Sequence, residues 1–255
     1  MNKIVSSVAL LAIAGNVLMA GGDIAPVEPV VPDVVVSDSW EYSASLNLFF
    51  AGISGETADG GDIDLGFSDI LDNLDFTFMG TFGAQKGKWG LLADVIYLDI
   101  SDDVNVPIDP SVSITNVEMK SWIVTPMVTY RVMEEEQLTL DLAAGARYLY
   151  MKAGLEFNNV ATESDSGSVW DAIVGVRGQY KIDEKWYMPF HIDVGTGDTD
   201  RTWQAFAGVG YKYESFDLIA GYRYLEWDFD DGDKGGAILN DLTVDGPIIG
   251  AKFYF

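Results

Sequence analysis

The sequence predicts an all-β protein: a transmembrane antiparallel up-and-down barrel of about ten strands, with eight as the alternative count. Three observations lead there. Apolar and polar side chains alternate over ten residues or more in segment after segment, which is the period of a strand and not of a helix. The connections between those segments are short and long by turns. Aromatic residues bracket the apolar face at a repeated spacing.

The first residues stand apart. In "MNKIVSSVALLAIAGNVLMA", Lys3 precedes an apolar stretch and then small residues up to Ala20, the layout of a secretory signal peptide over 1–20. Residues 21–38, "GGDIAPVEPVVPDVVVSD", carry Pro26, Pro29 and Pro32 three apart, which suits an extended periplasmic linker. The barrel is expected over 39–255. After residue 20 no apolar run is long enough for a helical membrane span.

Ten strands are expected near 40–53, 74–85, 89–101, 114–132, 138–157, 168–182, 186–196, 202–213, 217–228 and 242–255. In "WDAIVGVRGQYKI", Trp170, Ala172, Val174, Val176 and Tyr180 share one face, while Asp171, Ile173, Arg177 and Gln179 share the other. "LTLDLAAGARYLY" and "WQAFAGVGYKY" repeat the pattern. "KGK", "MEEEQ", "DEK" and "ESF" read as short turns, and 54–73, 102–113, 158–167, 197–201 and 229–241 as longer polar loops. Short turns at one end and long loops at the other mark an outer-membrane barrel of a Gram-negative cell. Pro126, Pro189 and Pro247 fall inside expected strands, where bulges or strand ends should accommodate the missing donor.

Alternation alone does not say which face is inside, since a soluble barrel alternates too. The polar face carries Asp94, Asp141, Arg147, Asp171, Arg177, His191, Asp193, Lys212, Arg223 and Lys252, interleaved with glycines, which suits a crowded, charged lumen. Trp40, Trp89, Tyr130, Tyr180, Trp186 and Tyr211 fall at the turn ends of the apolar face, and Tyr97, Trp122, Tyr148, Trp170, Trp203 and Tyr224 toward the loop ends. Trp89 to Tyr97, Trp122 to Tyr130 and Trp203 to Tyr211 each span eight residues. At the rise and tilt of a barrel strand, eight residues climb roughly 20 Å, close to the lipid-facing band of about 25 Å with aromatic girdles at its margins. The apolar face therefore points to lipid. Glu226 and Asp99 share its parity and must lie above the hydrocarbon.

The chain closes on "GAKFYF", with no polar tail. A closed barrel needs its last strand to pair with its first, because lipid cannot satisfy a free strand edge. This ending, with Gly250, Phe253 and the terminal Phe255, looks like the C-terminal assembly signal of bacterial outer-membrane proteins. Residues 40–255 resemble the small, OmpA-like or opacity-type outer-membrane barrels. The resemblance implies the barrel assembly machinery as a transient partner and outer-membrane lipid and lipopolysaccharide as surroundings.

Composition excludes several classes. Fifteen Lys and Arg against 40 Asp and Glu give a net charge of −25, which repels nucleic acid. The absence of cysteine rules out disulfides and thiolate metal sites. No phosphate loop, nucleophile elbow or paired metal-ligand histidines appears, so no cofactor is expected. His191 is the single histidine, two residues from Asp193, and a His oriented by a carboxylate can serve as a general base in an outer-membrane hydrolase. At about 7 Å, however, two positions on one strand face stand too far apart for a firm contact. The lumen charges read either as a salt-bridged plug or as the selectivity region of a narrow small-solute porin. The acidic loop residues Glu56, Asp59, Asp62, Asp64, Asp69, Asp72, Asp228, Asp230, Asp231 and Asp233 suit a solvated surface with weak divalent-cation binding. "DFDDGD" lacks the downstream bidentate acid of a calcium loop. The expected role is structural or surface-exposed, without catalysis.

Overall fold

The computed structural model describes residues 39–57, 60, 62–66, 74–109, 112–157, 161–229 and 239–255, all in strands, turns or short connections. The expected signal peptide over 1–20 and linker over 21–38 lie outside the described residues. Twelve strands follow in chain order: β1 (Glu41–Phe49), β2 (Gly52–Thr57), β3 (Asp62–Leu65), β4 (Leu74–Lys86), β5 (Trp89–Asp109), β6 (Val112–Glu134), β7 (Leu138–Phe157), β8 (Ala161–Lys181), β9 (Trp186–Gly197), β10 (Arg201–Lys212), β11 (Asp217–Asp228) and β12 (Leu239–Tyr254). From β4 to β12 each pairs antiparallel with its neighbours in sequence, and β1 joins β4 to β12 to close the ring.

β1 and β2 are two parts of one wall strand. β1 pairs with β12 from Ser43↔Tyr254 to Phe49↔Ile248, and β2 resumes in the same register at Gly52↔Asp245. The interruption at Phe50 and Ala51 faces Gly246 and Pro247. Phe50 donates its N–H to the Pro247 carbonyl at 2.9 Å, and the proline has none to give back. Counted this way the ring has ten strands, with β3 as a short extra strand folded back on β2. The β1–β4 ladder ends at Asn47↔Met79, above which β2 turns its free edge to β3.

Pro126 and Pro189 do not bulge the wall, the first of the two accommodations expected; Pro189 does lie near a strand end, close to the start of β9 at Trp186. Register is unchanged across Pro126 between Val124↔Tyr148 and Met127↔Gly145, and across Pro189 between Ala207↔Phe190 and Gly210↔Tyr187. One seam skips its bond while the other seam stays paired at Ala93↔Pro126 and Gln179↔Pro189. The bulges fall mostly toward the strand ends, as at Arg131/Met133 and Asp103/Val106.

Loop boundaries also shift. Residues 102–109 and 112–113, expected as loop, belong to a hairpin that carries β5 and β6 on beyond the membrane; β7 ends at Phe157 as expected, while β8 begins at Ala161 and not near 168. A strand in water needs no lipid-facing side chains, so the apolar alternation stops at the membrane margin while the backbone ladder continues. Part of the expected loop 54–73 is the β2–β3 pair.

Turn chemistry is legible at the other end. Gly87 has φ 56° in the two-residue turn between Lys86 and Trp89, a conformation glycine adopts at no steric cost. Gly250 has a different reason: a Cβ there would lie 2.0 Å from the Asn47 side-chain oxygen, so the inward asparagine needs the gap. In the β8–β9 turn the Asp183 carboxylate accepts the backbone N–H groups of Lys185 and Trp186, each at 2.8 Å. Those two bonds, Trp186 foremost, hold its pKa below the usual carboxylate value. The turn's contribution to stability is therefore full above the unfolded-chain pKa and is lost as pH falls through the lower folded value. Carbon NMR of the refolded protein should show the Asp183 carboxyl titrating below the ordinary Asp value of about 3.9; titration at or above that value would contradict the capped turn.

Candidate functional site

Strand parity sends two sets of side chains in opposite directions. Trp170, Val174, Leu142, Ile192, Val194 and Ile249 are exposed on the outer wall, whereas Asp141, Arg147, Asp171, Asp193 and Arg223 are buried in the bore. Among the outer aromatics, Trp89 and Tyr130 are register partners with ring centroids 4.8 Å apart, as are Trp186 and Tyr211 at the same distance. At the loop end Tyr97–Trp122, Tyr148–Trp170 and Trp203–Tyr224 pair at 4.5, 4.7 and 4.7 Å. Trp40, Tyr180, Phe253 and Phe255 are all exposed at the turn end. The two outward acids sit just past the loop-end aromatics and are partnered: Asp99 by Lys120 at 3.1 Å and the Tyr97 hydroxyl at 2.9 Å, Glu226 by Arg201 at 3.3 Å.

Inside, a belt of polar side chains crosses the bore. Arg147 on β7 donates to Asp193 on β9 at 2.7 Å and to the Thr202 hydroxyl on β10 at 2.9 Å. Neither side chain of the Arg147–Asp193 pair has any solvent exposure, at 0% each. Asp193 also takes a hydrogen bond from His191 Nε2 at 2.5 Å and from Gln204 at 3.3 Å. Gln204 in turn accepts from Arg223 Nε at 3.0 Å, and Arg223 reaches across to Asp94 on β5 at 2.8 Å, where Thr81 on β4 adds a bond of 2.9 Å. The His191–Asp193 contact overturns the expectation from spacing. Arg147 and Gln204 fix the carboxylate, and the imidazole leans to meet it. No hydroxyl hydrogen-bonds the imidazole among the described residues.

The other members of the charged set behave differently. Asp141 pairs with Arg131 on β6 at 2.9 Å, and with neither Arg147 nor Arg177. Asp171 accepts the Thr199 N–H at 3.0 Å and its hydroxyl at 2.9 Å, which ties down the β9–β10 connection. Arg177, Lys212 and Lys252 have no ion-pair partner among the described residues. Thr81, Arg131, Thr199, Thr202 and Gln204 complete these networks. Gln204 could have been suspected from its inward parity; a threonine at a lumen position carries no such signal.

The lumen is not uniformly polar. Toward the loop end it is filled by an apolar layer that includes Ile96, Ile123, Leu149, Val169, Leu225, Trp227 and Leu242, with Leu225 and Trp227 at 0% exposure. The Arg147 guanidinium lies 6.0 Å from the Trp227 ring, where the two layers meet. A cavity of about 50 Å³ lies within the apolar layer, and another of about 660 Å³ occupies the turn-end half down to Glu41, Glu134 and Tyr254; they share no lining residue. Of the acidic loop residues, Glu56, Asp62 and Asp64 are described and exposed, whereas Asp59, Asp69, Asp72, Asp230, Asp231 and Asp233 lie outside the described residues. No acidic or histidine cluster suited to a metal ion occurs among the described residues.

A closed ring with an apolar outer wall, aromatic pairs at both margins and an enclosed charged interior defines an outer-membrane β-barrel. Among solved structures, the chain is similar to Ail of Yersinia pestis at 14% identity and a TM-score of 0.40, covering 85% of this chain and 98% of that one. It is also similar to Neisserial surface protein A at 13% and 0.39, covering 85% and 97%. The translocator domain of the autotransporter NalP from Neisseria meningitidis matches at 10% and 0.41, covering 85% and 88%. No family model and no curated protein matches the chain. The assignment rests on the barrel's own geometry and not on these likenesses.

The belt makes a specific energetic claim. Arg147→Leu, which takes the buried guanidinium from Asp193 and leaves it only His191 and Gln204, should destabilise the protein by about 3–5 kcal/mol. Arg147→Leu with Asp193→Leu should lose less than the sum of the two single changes, measured by urea unfolding in lipid vesicles. Additive losses would mean that the two side chains are not coupled.

Proposed function

We propose that the chain is a non-conducting, non-catalytic outer-membrane barrel whose working surface is its extension beyond the loop-end girdle. The observation that carries this reading is the double closure of the bore: a hydrogen-bonded ionic belt with an apolar layer above it. A ring of ten strands is only slightly wider than those whose side chains fill the interior. From Tyr97 the β5 strand runs twelve residues further, to Asp109, roughly 30 Å at barrel rise and tilt. This extended sheet, continued in β6, β7 and β8, would be the part of the barrel presented to the exterior. Outer-membrane lipid and lipopolysaccharide would surround the wall, and the terminal strand would engage the assembly machinery.

A hydrolase is the second reading, favoured by the short His191–Asp193 contact at the edge of the larger cavity. Against it stands the belt itself, since Arg147 and Gln204 already engage the same carboxylate.

The test is a planar bilayer with the refolded protein across a range of salt. Silence is expected. Discrete conductance steps that shrink on replacing Arg223 would make it a narrow porin. Peptide or ester hydrolysis abolished by His191→Ala would make it an enzyme.

A further inference from the structure

We infer that the turn-end half of the lumen is a binding site for a small multivalent anion, phosphate-bearing or dicarboxylic, entering from the periplasm. Three cations meet in the cavity of about 660 Å³. Arg177 projects from β8, Lys212 from β10 and Lys252 from β12; β8 and β12 stand four places apart in the ring, on nearly opposite walls. Lys252 lies within electrostatic reach of both other cations and of Asp217.

Among the described residues none of these three makes an ion pair, although Asp141 and Asp94 act on Arg177 through space and Glu134 shares the cavity. The contrast with their neighbours is sharp: Arg131 is paired with Asp141 and Arg223 with Asp94 on the same cavity wall. Asp217 is the acid best placed to neutralise the lysines, being the register partner of Lys212 on one side and Lys252 on the other. Its carboxylate is turned instead to two phenols, accepting from Tyr187 at 2.8 Å and Tyr254 at 2.7 Å. The lysine ammonium groups lie over the rings of those same tyrosines, Lys212 at 5.4 Å from Tyr187 and Lys252 at 4.9 Å from Tyr254. Glu41 is at the rim of the cavity.

Like charges gathered in a partly enclosed bore repel one another more strongly than in bulk water. A divalent anion between the opposite walls offsets that repulsion and supplies the acceptors that the ammonium and guanidinium groups lack. The volume is that of a small-molecule site and exceeds what one inorganic ion fills. The belt above it blocks passage, so the site binds and does not conduct.

Titration calorimetry of the full chain refolded in a non-ionic detergent at low ionic strength tests the inference, with inorganic phosphate and succinate as probes and chloride as the monovalent control. Saturable binding of at least one dianion is expected, with chloride much weaker. Phosphate alone would identify a phosphoryl group as the feature recognised, and succinate alone a carboxylate. Arg177→Gln combined with Lys252→Gln should weaken binding about ten-fold or more, the loss of charge-assisted hydrogen bonds. Should that variant fail to refold, Lys212→Gln at the rim should still weaken it several-fold, while Arg201→Gln at the loop end leaves it unchanged. No saturable binding of either dianion, or equal binding by wild type and the refolded lumen variant, would overturn the inference.

Discussion

Everything in this protein follows from one constraint: inside hydrocarbon, a backbone N–H or C=O has no water to turn to. A sheet can meet that demand only by closing on itself, so β12 must find β1. The same demand explains the treatment of the prolines. Each forfeits a bond on one seam, and each sits where the opposite seam holds the register. At the terminal strand the loss at Pro247 is tolerated by letting the facing wall strand break into β1 and β2. The ladder between β1 and β4 is short, and where it ends β2 takes another partner in β3.

Closure creates a second problem, because the bore must be filled or flooded. This chain divides the solutions by depth. The middle is a belt in which arginines and aspartates neutralise one another with glutamine and threonine completing the bonds, so that the buried charges are matched. Toward the loop end the filling is greasy, with Trp227 turned inward while the other tryptophans face outward by strand parity. The turn-end half retains a large cavity. That graded interior fits the proposed reading of a non-conducting barrel.

Much of the wall was legible in the sequence, because a period of two with lipid on one side leaves a strong trace. Trp89 opposite Tyr130 and Tyr97 opposite Trp122 could be placed at two heights by counting residues, and the structure sets them as partners. The trace faded wherever lipid did. Beyond Tyr97 and Trp122 the hairpin continues in water, where either face tolerates polar residues, so its length could not be read. Inside the bore the limit was different. Parity says that Asp94 and Arg223 both point inward, but their pairing depends on how β5 and β11 face each other across the ring, a relation that local pattern does not encode. Parity was informative about charge and silent about the apolar layer, since an inward side chain such as Ile123 or Leu149 follows the same period of two as a polar one.

The account stands on the direction in which the two faces point, and the tryptophans report it directly. In single-tryptophan variants refolded into vesicles of brominated-chain lipid, fluorescence from Trp122, Trp170 and Trp203 should be strongly quenched, while Trp227, enclosed in the bore, should remain bright. Quenching of Trp227 with the other three unaffected would show that the wall has been read inside out.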